Sequence, residues 1–273
     1  MNKGVLEALI PETKAQFLRA FPQSAALIDN TEIFVILNSN REKKRLEVFE
    51  RCGARVKEDG PNEGEAVIGA NGRAVIIYAS VIKSQARFKR VLWHELGHIY
   101  SQALNSELFA EAEKDMLSEN DTLIRNGMCI WTEFIAEVIA YIVEDAIPRA
   151  SAWQSVAIME NLMDEAVNSG NLAPYPLAFF NAMLYEDPTV VAWREQNEYV
   201  VPGLNNCDDD ILPLLKNLSD VLGEQLQKEE FVCISRDMLE KLGECVNELW
   251  DFCEMSVFSS AIRRWKSDMS DLH

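Results

Sequence analysis

Two histidines and a glutamate in the pentapeptide His94-Glu95-Leu96-Gly97-His98 have the types and spacing to do chemistry. In a helix, side chains four apart share a face, so the imidazoles of His94 and His98 can approach one ion while Glu95 projects beside them. Two neutral nitrogen ligands, an open coordination position and an adjacent carboxylate base are the parts of a hydrolytic zinc site. Residues 88–104 contain no proline and are good helix formers, which predicts one helix carrying both histidines. The competing reading is a core histidine pair held by neighbouring carboxylates without a metal. Gly97 costs about 1 kcal/mol relative to alanine inside a helix, and close approach of another backbone beside the site would offset it.

A tetrahedral zinc with an open position needs a third protein ligand. The other histidine, His273, is the last residue and fits a solvated end better than a ligand. The longer metal motif with glycine at 101 and histidine at 104 is absent, since Ser101 and Leu104 stand there. A carboxylate remains. Residues 131–143 are apolar nearly all round, the pattern of a buried helix, interrupted by Glu133 and Glu137 on one face. Burying them without partners is costly. A metal ion would partner Glu133 as third ligand, and the outward N–H of His94 or His98 would partner Glu137. The alternative is that both glutamates face solvent or a basic side chain. Glu107 and Glu111, also four apart, are the reserve ligands, although their neighbours read as a solvated face.

Together the two motifs resemble the gluzincin group of zinc metallopeptidases, and the run Glu133-Phe134-Ile135-Ala136-Glu137 is similar to ImmA/IrrE-type proteins within it. The resemblance spans residues 65–146. It implies Zn2+ held by His94, His98 and Glu133, Glu95 as general base, Glu137 as the acid that orients a ligand histidine, and a peptide or protein substrate. It also implies an exposed strand before the metal helix on which an extended substrate adds main-chain hydrogen bonds. Residues 73–80 are the candidate edge, with an interior strand as the alternative. An oxyanion needs a further electrophile, for which Tyr141, Tyr175, Tyr185 and Arg125 are candidates. The second reading of function is a zincin-like regulatory or protein-interaction module with little or no hydrolysis. Scaffolding would not require Glu95, which favours a zinc-dependent peptidase.

The elements that must position these residues begin with a helix expected over 11–21, opening on Pro11. A buried strand over 32–38 and a surface helix over 40–52 follow. Residues 54–57 and 65–68, around a turn-rich stretch, read as a hairpin, and 74–78 as a further strand. Beyond Pro148 the pattern is helical over 150–167, 176–186, 189–197, 209–228 and 235–266, with Trp153, Phe179 and Trp193 expected in the core. The fold class expected is α+β: a small N-terminal mixed sheet packed on the metal helix, then a mostly α-helical C-terminal lobe. The corresponding domains are 1–147 and 148–273.

A chain of 273 residues can bury one large core or two modest ones. A net charge of −18 argues against nucleic-acid or anionic-membrane partners, which require clustered basic residues. The start is interrupted by Glu7 and Pro11 before a secretory apolar core can form. The apolar stretch around Glu133 and Glu137 reads as too short and interrupted to span a bilayer. A cytoplasmic protein is therefore expected. Cys52, Cys129, Cys207, Cys233, Cys245 and Cys253 form no Cys-x-x-Cys pair. They read as reduced, mostly buried thiols.

Overall fold

The computed structural model of the chain describes residues 2–56, 63–115, 122–144 and 212–252. The helices expected at 150–167, 176–186 and 189–197 lie outside the described residues, as do Tyr175, Tyr185 and His273. The described elements are α+β: a three-stranded mixed sheet, with the remainder helical. Two compact units are formed, Met1–Leu104 with Ile135–Ile147, and Asn105–Phe134 with Pro148–His273.

The first unit starts with α1 (Lys3–Ala20), whose N-cap Asn2 accepts a hydrogen bond from the Gly4 N–H at 2.9 Å. This corrects the expected start at Pro11, which lies inside the helix. Proline there removes a backbone hydrogen bond. Burial of Leu6, Thr13 and Phe17 along one face overrides that local cost, and the Thr13 hydroxyl donates to the Leu9 carbonyl at 2.7 Å. A short helix, α2 (Ala25–Asp29), leads to strand β1 (Glu32–Ile36), and α3 (Arg41–Cys52) follows, closing on Gly53 in the left-handed region at φ 64°.

Strands β2 (Gly64–Gly69) and β3 (Gly72–Tyr78) form an antiparallel hairpin closed by Ala70 and Asn71, with Gly69 opposite Gly72. The expected pairing of 54–57 with 65–68 is therefore corrected: the two-residue turn brings β3 into register with β2. The turn is tied back to α3, since the Asn71 N–H donates to the Cys52 carbonyl at 2.9 Å. Strand order is β1-β3-β2, with β1 parallel to β3. Strand β3 is thus interior, so of the two readings of residues 73–80 the interior strand holds and the exposed substrate edge does not. Ala74–Tyr78 are all buried, as a strand paired on both margins and covered on both faces must be. Among the described residues β1 and β2 are the margins; β1 is buried only at its end, at Val35 and Ile36, and β2 only at Gly64 and Val67.

On one face of the sheet, Val67, Ala74, Ile76 and Tyr78 pack with Val48, Phe49 and Cys52 of α3. The same face holds a buried ion pair: Arg45 donates from two guanidinium nitrogens, each at 2.8 Å, to the two oxygens of Glu65, which also accepts from the Tyr78 hydroxyl at 2.9 Å. Burial, then the charge of Glu65, pushes the Tyr78 phenol well above its ordinary range. On the opposite face lies α4 (Gln85–Leu104), which packs on β2, β3 and α1. It is anchored to α1 by Trp93, whose indole N–H donates to the Thr13 carbonyl at 3.1 Å, and by Tyr100, which packs against Phe17 and Phe21.

The second unit contains α5 (Ser106–Asp115), the first part of α6 (Thr122–Glu144), α7 (Leu212–Leu226) and α8 (Arg236–Phe252). Helices α6 and α8 meet at backbone distance, since a side chain on Gly127 or Gly243 would collide with the Leu239 or Leu123 carbonyl. Buried Asn105 and Gln225 hold the segment before α8: Asn105 bonds the Val232 carbonyl and Ile234 N–H, each at 2.9 Å, and Gln225 donates to the Phe231 and Cys233 carbonyls. Residues Asn126–Glu144 are long and apolar enough to cross a membrane, which corrects the expectation that this stretch is too short. Most of that segment is buried within the protein, as in the core helix of a soluble protein.

Candidate metal centre

At 100° per residue, α4 presents three faces. Trp93 and Tyr100 face α1, Val91 and Glu95 face β2, and Arg90, His94 and His98 form a stripe that meets α6. The contacts run in opposite senses along the two helices: Arg90 with Glu144 and Glu137, His94 with Glu137, Gly97 with Ala136. The helices are antiparallel. A Cβ on Gly97 would stand 3.0 Å from the Ala136 Cα and 3.1 Å from its carbonyl oxygen. The glycine in the metal motif is thus the point of close backbone approach that its helix cost required.

The His94 imidazole Nδ1 lies 2.9 Å from Oε2 of Glu137. A carboxylate can only accept, so the Nδ1–H donates and Nε2 faces the other way. It faces His98, whose Nε2 is 3.0 Å distant, with the two rings nearly perpendicular at 86°. Nitrogens bound about 2.0–2.1 Å from one tetrahedral zinc stand roughly 3.3 Å apart, close to the separation seen. Without a cation, the same distance fits one imidazole donating to the other.

Glu133 lies one turn before Glu137 on α6. Ligand atoms of His94, His98 and Glu133 all lie within 4.8 Å of one another. Among the described residues this is the only group of three or more His, Cys, Asp or Glu side chains so disposed. The reserve ligands Glu107 and Glu111 are exposed on α5 and outside that group. Two imidazoles, one held by a carboxylate on its far nitrogen, and a glutamate make a group that could hold a metal ion, and its donor chemistry is of the kind zinc takes.

Glu137 is buried, and burial raises its pKa; the hydrogen bond and charge of His94, then the charge and hydrogen bond of Arg90, outweigh that and hold it below the usual carboxylate range. Arg90 donates to Oε1 of Glu137 and, at 2.6 Å, to Oε2 of Glu144. Its guanidinium carbon lies 3.7 Å from the centroid of the Tyr141 ring. Burial disfavours the charge of Arg90, but Glu137, Tyr141 and Glu144 more than restore it and raise its pKa. Tyr141, a candidate for the oxyanion, is thus engaged with Arg90. It also lies eight residues from Glu133, about 12 Å along the helix. The Arg125 side chain, like Tyr175 and Tyr185, lies outside the described residues.

Two residues of the site were missed from sequence. Arg90 sits one turn before His94 on the same stripe, a spacing that could have revealed it. Gly64 opens β2, where a Cβ would stand 2.7 Å from Val91 Cγ1 and 2.9 Å from both Cγ and Oε1 of Glu95. Nothing in the glycine's sequence surroundings signals that contact. It places the Glu95 carboxylate against the β2 backbone. No family model matches the chain, and neither a curated protein nor a solved structure matches it.

Proposed function

We propose that this chain is a zinc-dependent metallopeptidase, with His94, His98 and Glu133 as metal ligands and Glu95 as the catalytic base. The observation that carries the reading is the arrangement of three side chains: His94 sets Nδ1 2.9 Å from Glu137 Oε2 and Nε2 3.0 Å from His98 Nε2, and the ligand atoms of His94, His98 and Glu133 all lie within 4.8 Å of one another. A zinc ion held there supplies a Lewis acid that makes a water acidic near neutral pH and polarises a carbonyl. Glu95, on the neighbouring face of α4, takes the water's proton and returns one to the departing amine. Of the two sheet margins, β2 is the one beside Glu95, and an extended peptide laid along it would add backbone hydrogen bonds.

A cytoplasmic location agrees with Cys52, Cys233 and Cys245 being free thiols. Zinc content and hydrolysis of a mixed peptide library, measured on the wild type and on Glu95→Gln, test the proposal. The variant keeps its zinc and loses turnover by about two to four orders of magnitude. Full activity in Glu95→Gln would overturn the assignment of the base. Zinc uptake without turnover in the wild type would favour a non-hydrolytic interaction module.

A further inference from the structure

Arg90 reaches the metal site without touching it. Its partners on α6, Glu137, Tyr141 and Glu144, are spaced by four and three residues and therefore form one stripe. One guanidinium nitrogen bonds Glu137, another bonds Glu144, and the plane lies over the Tyr141 ring between them. Lysine could not make this set of contacts, since it offers a point charge rather than a planar fork. The consequence falls on Glu137. Its Oε1 accepts from Arg90 while its Oε2 accepts the His94 Nδ1–H, so both oxygens are committed and the carboxylate plane is fixed from two sides.

We infer that Arg90 is a positioning residue for the metal centre: by clamping Glu137 it holds His94 in the Nδ1–H tautomer and aims the Nε2 lone pair at the ion. The inference rests on the metal site proposed above and deepens it. With Arg90 removed, Glu137 keeps one partner, can turn about its last bond, and no longer enforces one tautomer. The ligand nitrogen is then protonated in part of the population, and each such molecule must move a proton before it can bind metal.

The test reads the His94 tautomer from 15N chemical shifts of the metal-free protein, and zinc affinity by competition with a chelating dye. Wild type, Arg90→Gln, Arg90→Lys and Glu144→Gln are compared. In the wild type His94 is the Nδ1–H tautomer. Arg90→Gln gives a mixture of tautomers and binds zinc about tenfold more weakly or worse. Arg90→Lys recovers part of both, and Glu144→Gln, which leaves the Arg90–Glu137 contact in place, stays near wild type. A wild-type tautomer and affinity in Arg90→Gln would overturn the inference, as would an equal loss in Glu144→Gln, which would mean general loosening of the helix pair. Should Arg90→Gln not fold, Arg90→Lys decides by the same two readings. A wild type that takes up no zinc would sink the metallopeptidase reading, while the tautomer in the metal-free protein would still judge Arg90.

Discussion

Gly64 determines where Glu95 can sit. The Glu95 side chain lies within 2.9 Å of where any larger residue at position 64 would place its Cβ, so the proposed base is held against a bare stretch of strand. The colliding atoms belong to the side chains of Glu95 and Val91, which can yield where backbone could not. Gly64→Ala is therefore expected to cost only about 1–3 kcal/mol in stability, the usual range for overpacking. Its effect on turnover is larger, because an ångström of misplacement at a reacting group can cost about a hundredfold. Zinc affinity, kcat and thermal unfolding of the variant check this together: a fall in kcat with zinc affinity unchanged is expected, and unchanged kcat would contradict it.

The pairing of α4 with α6 underlies the proposed metal site. It has one closest point, Gly97 on Ala136, and the His94–Glu137 contact lies within a turn of it. Gly97→Val should force the helices apart, weaken zinc binding by at least about tenfold and lower stability by about 1–3 kcal/mol; dye competition and chemical denaturation measure the two effects. Much of this pairing was legible in the sequence. The histidine spacing specified α4, the buried carboxylates specified α6, and the glycine announced the close approach. Sheet order was not legible, because an apolar run such as Ala74–Tyr78 shows only that a strand is covered. Which neighbours it pairs with depends on residues far along the chain, and the Ala70-Asn71 turn proved more decisive than the glycine-rich stretch before it. Pro11 misled for the opposite reason, since a local rule was overridden by burial of Leu6 and Phe17. Arg90 escaped notice because its partners lie 47 and 54 residues away.

For the molecule as a whole, a metal ion held at the proposed site would tie ligand binding to stability. Zinc bound only by the folded chain stabilises it by about 2.7 kcal/mol at a concentration a hundred times Kd. The thermal transition of zinc-loaded protein should accordingly fall on addition of a chelator and return on adding zinc. Scanning calorimetry reads that shift, and a transition indifferent to zinc would contradict a metal site. Helix α6 carries a different consequence, which concerns the time before the fold exists. As it is synthesised, the stretch Asn126–Glu144 has the length and apolarity of an anchor segment, and the insertion machinery reads such segments before tertiary structure forms. A charged residue near the centre of a span opposes insertion by roughly 2.5–3.5 kcal/mol. Glu133 and Glu137 both stand in the middle of this one, so the carboxylates proposed for the metal and for His94 also oppose entry of the nascent helix into a bilayer.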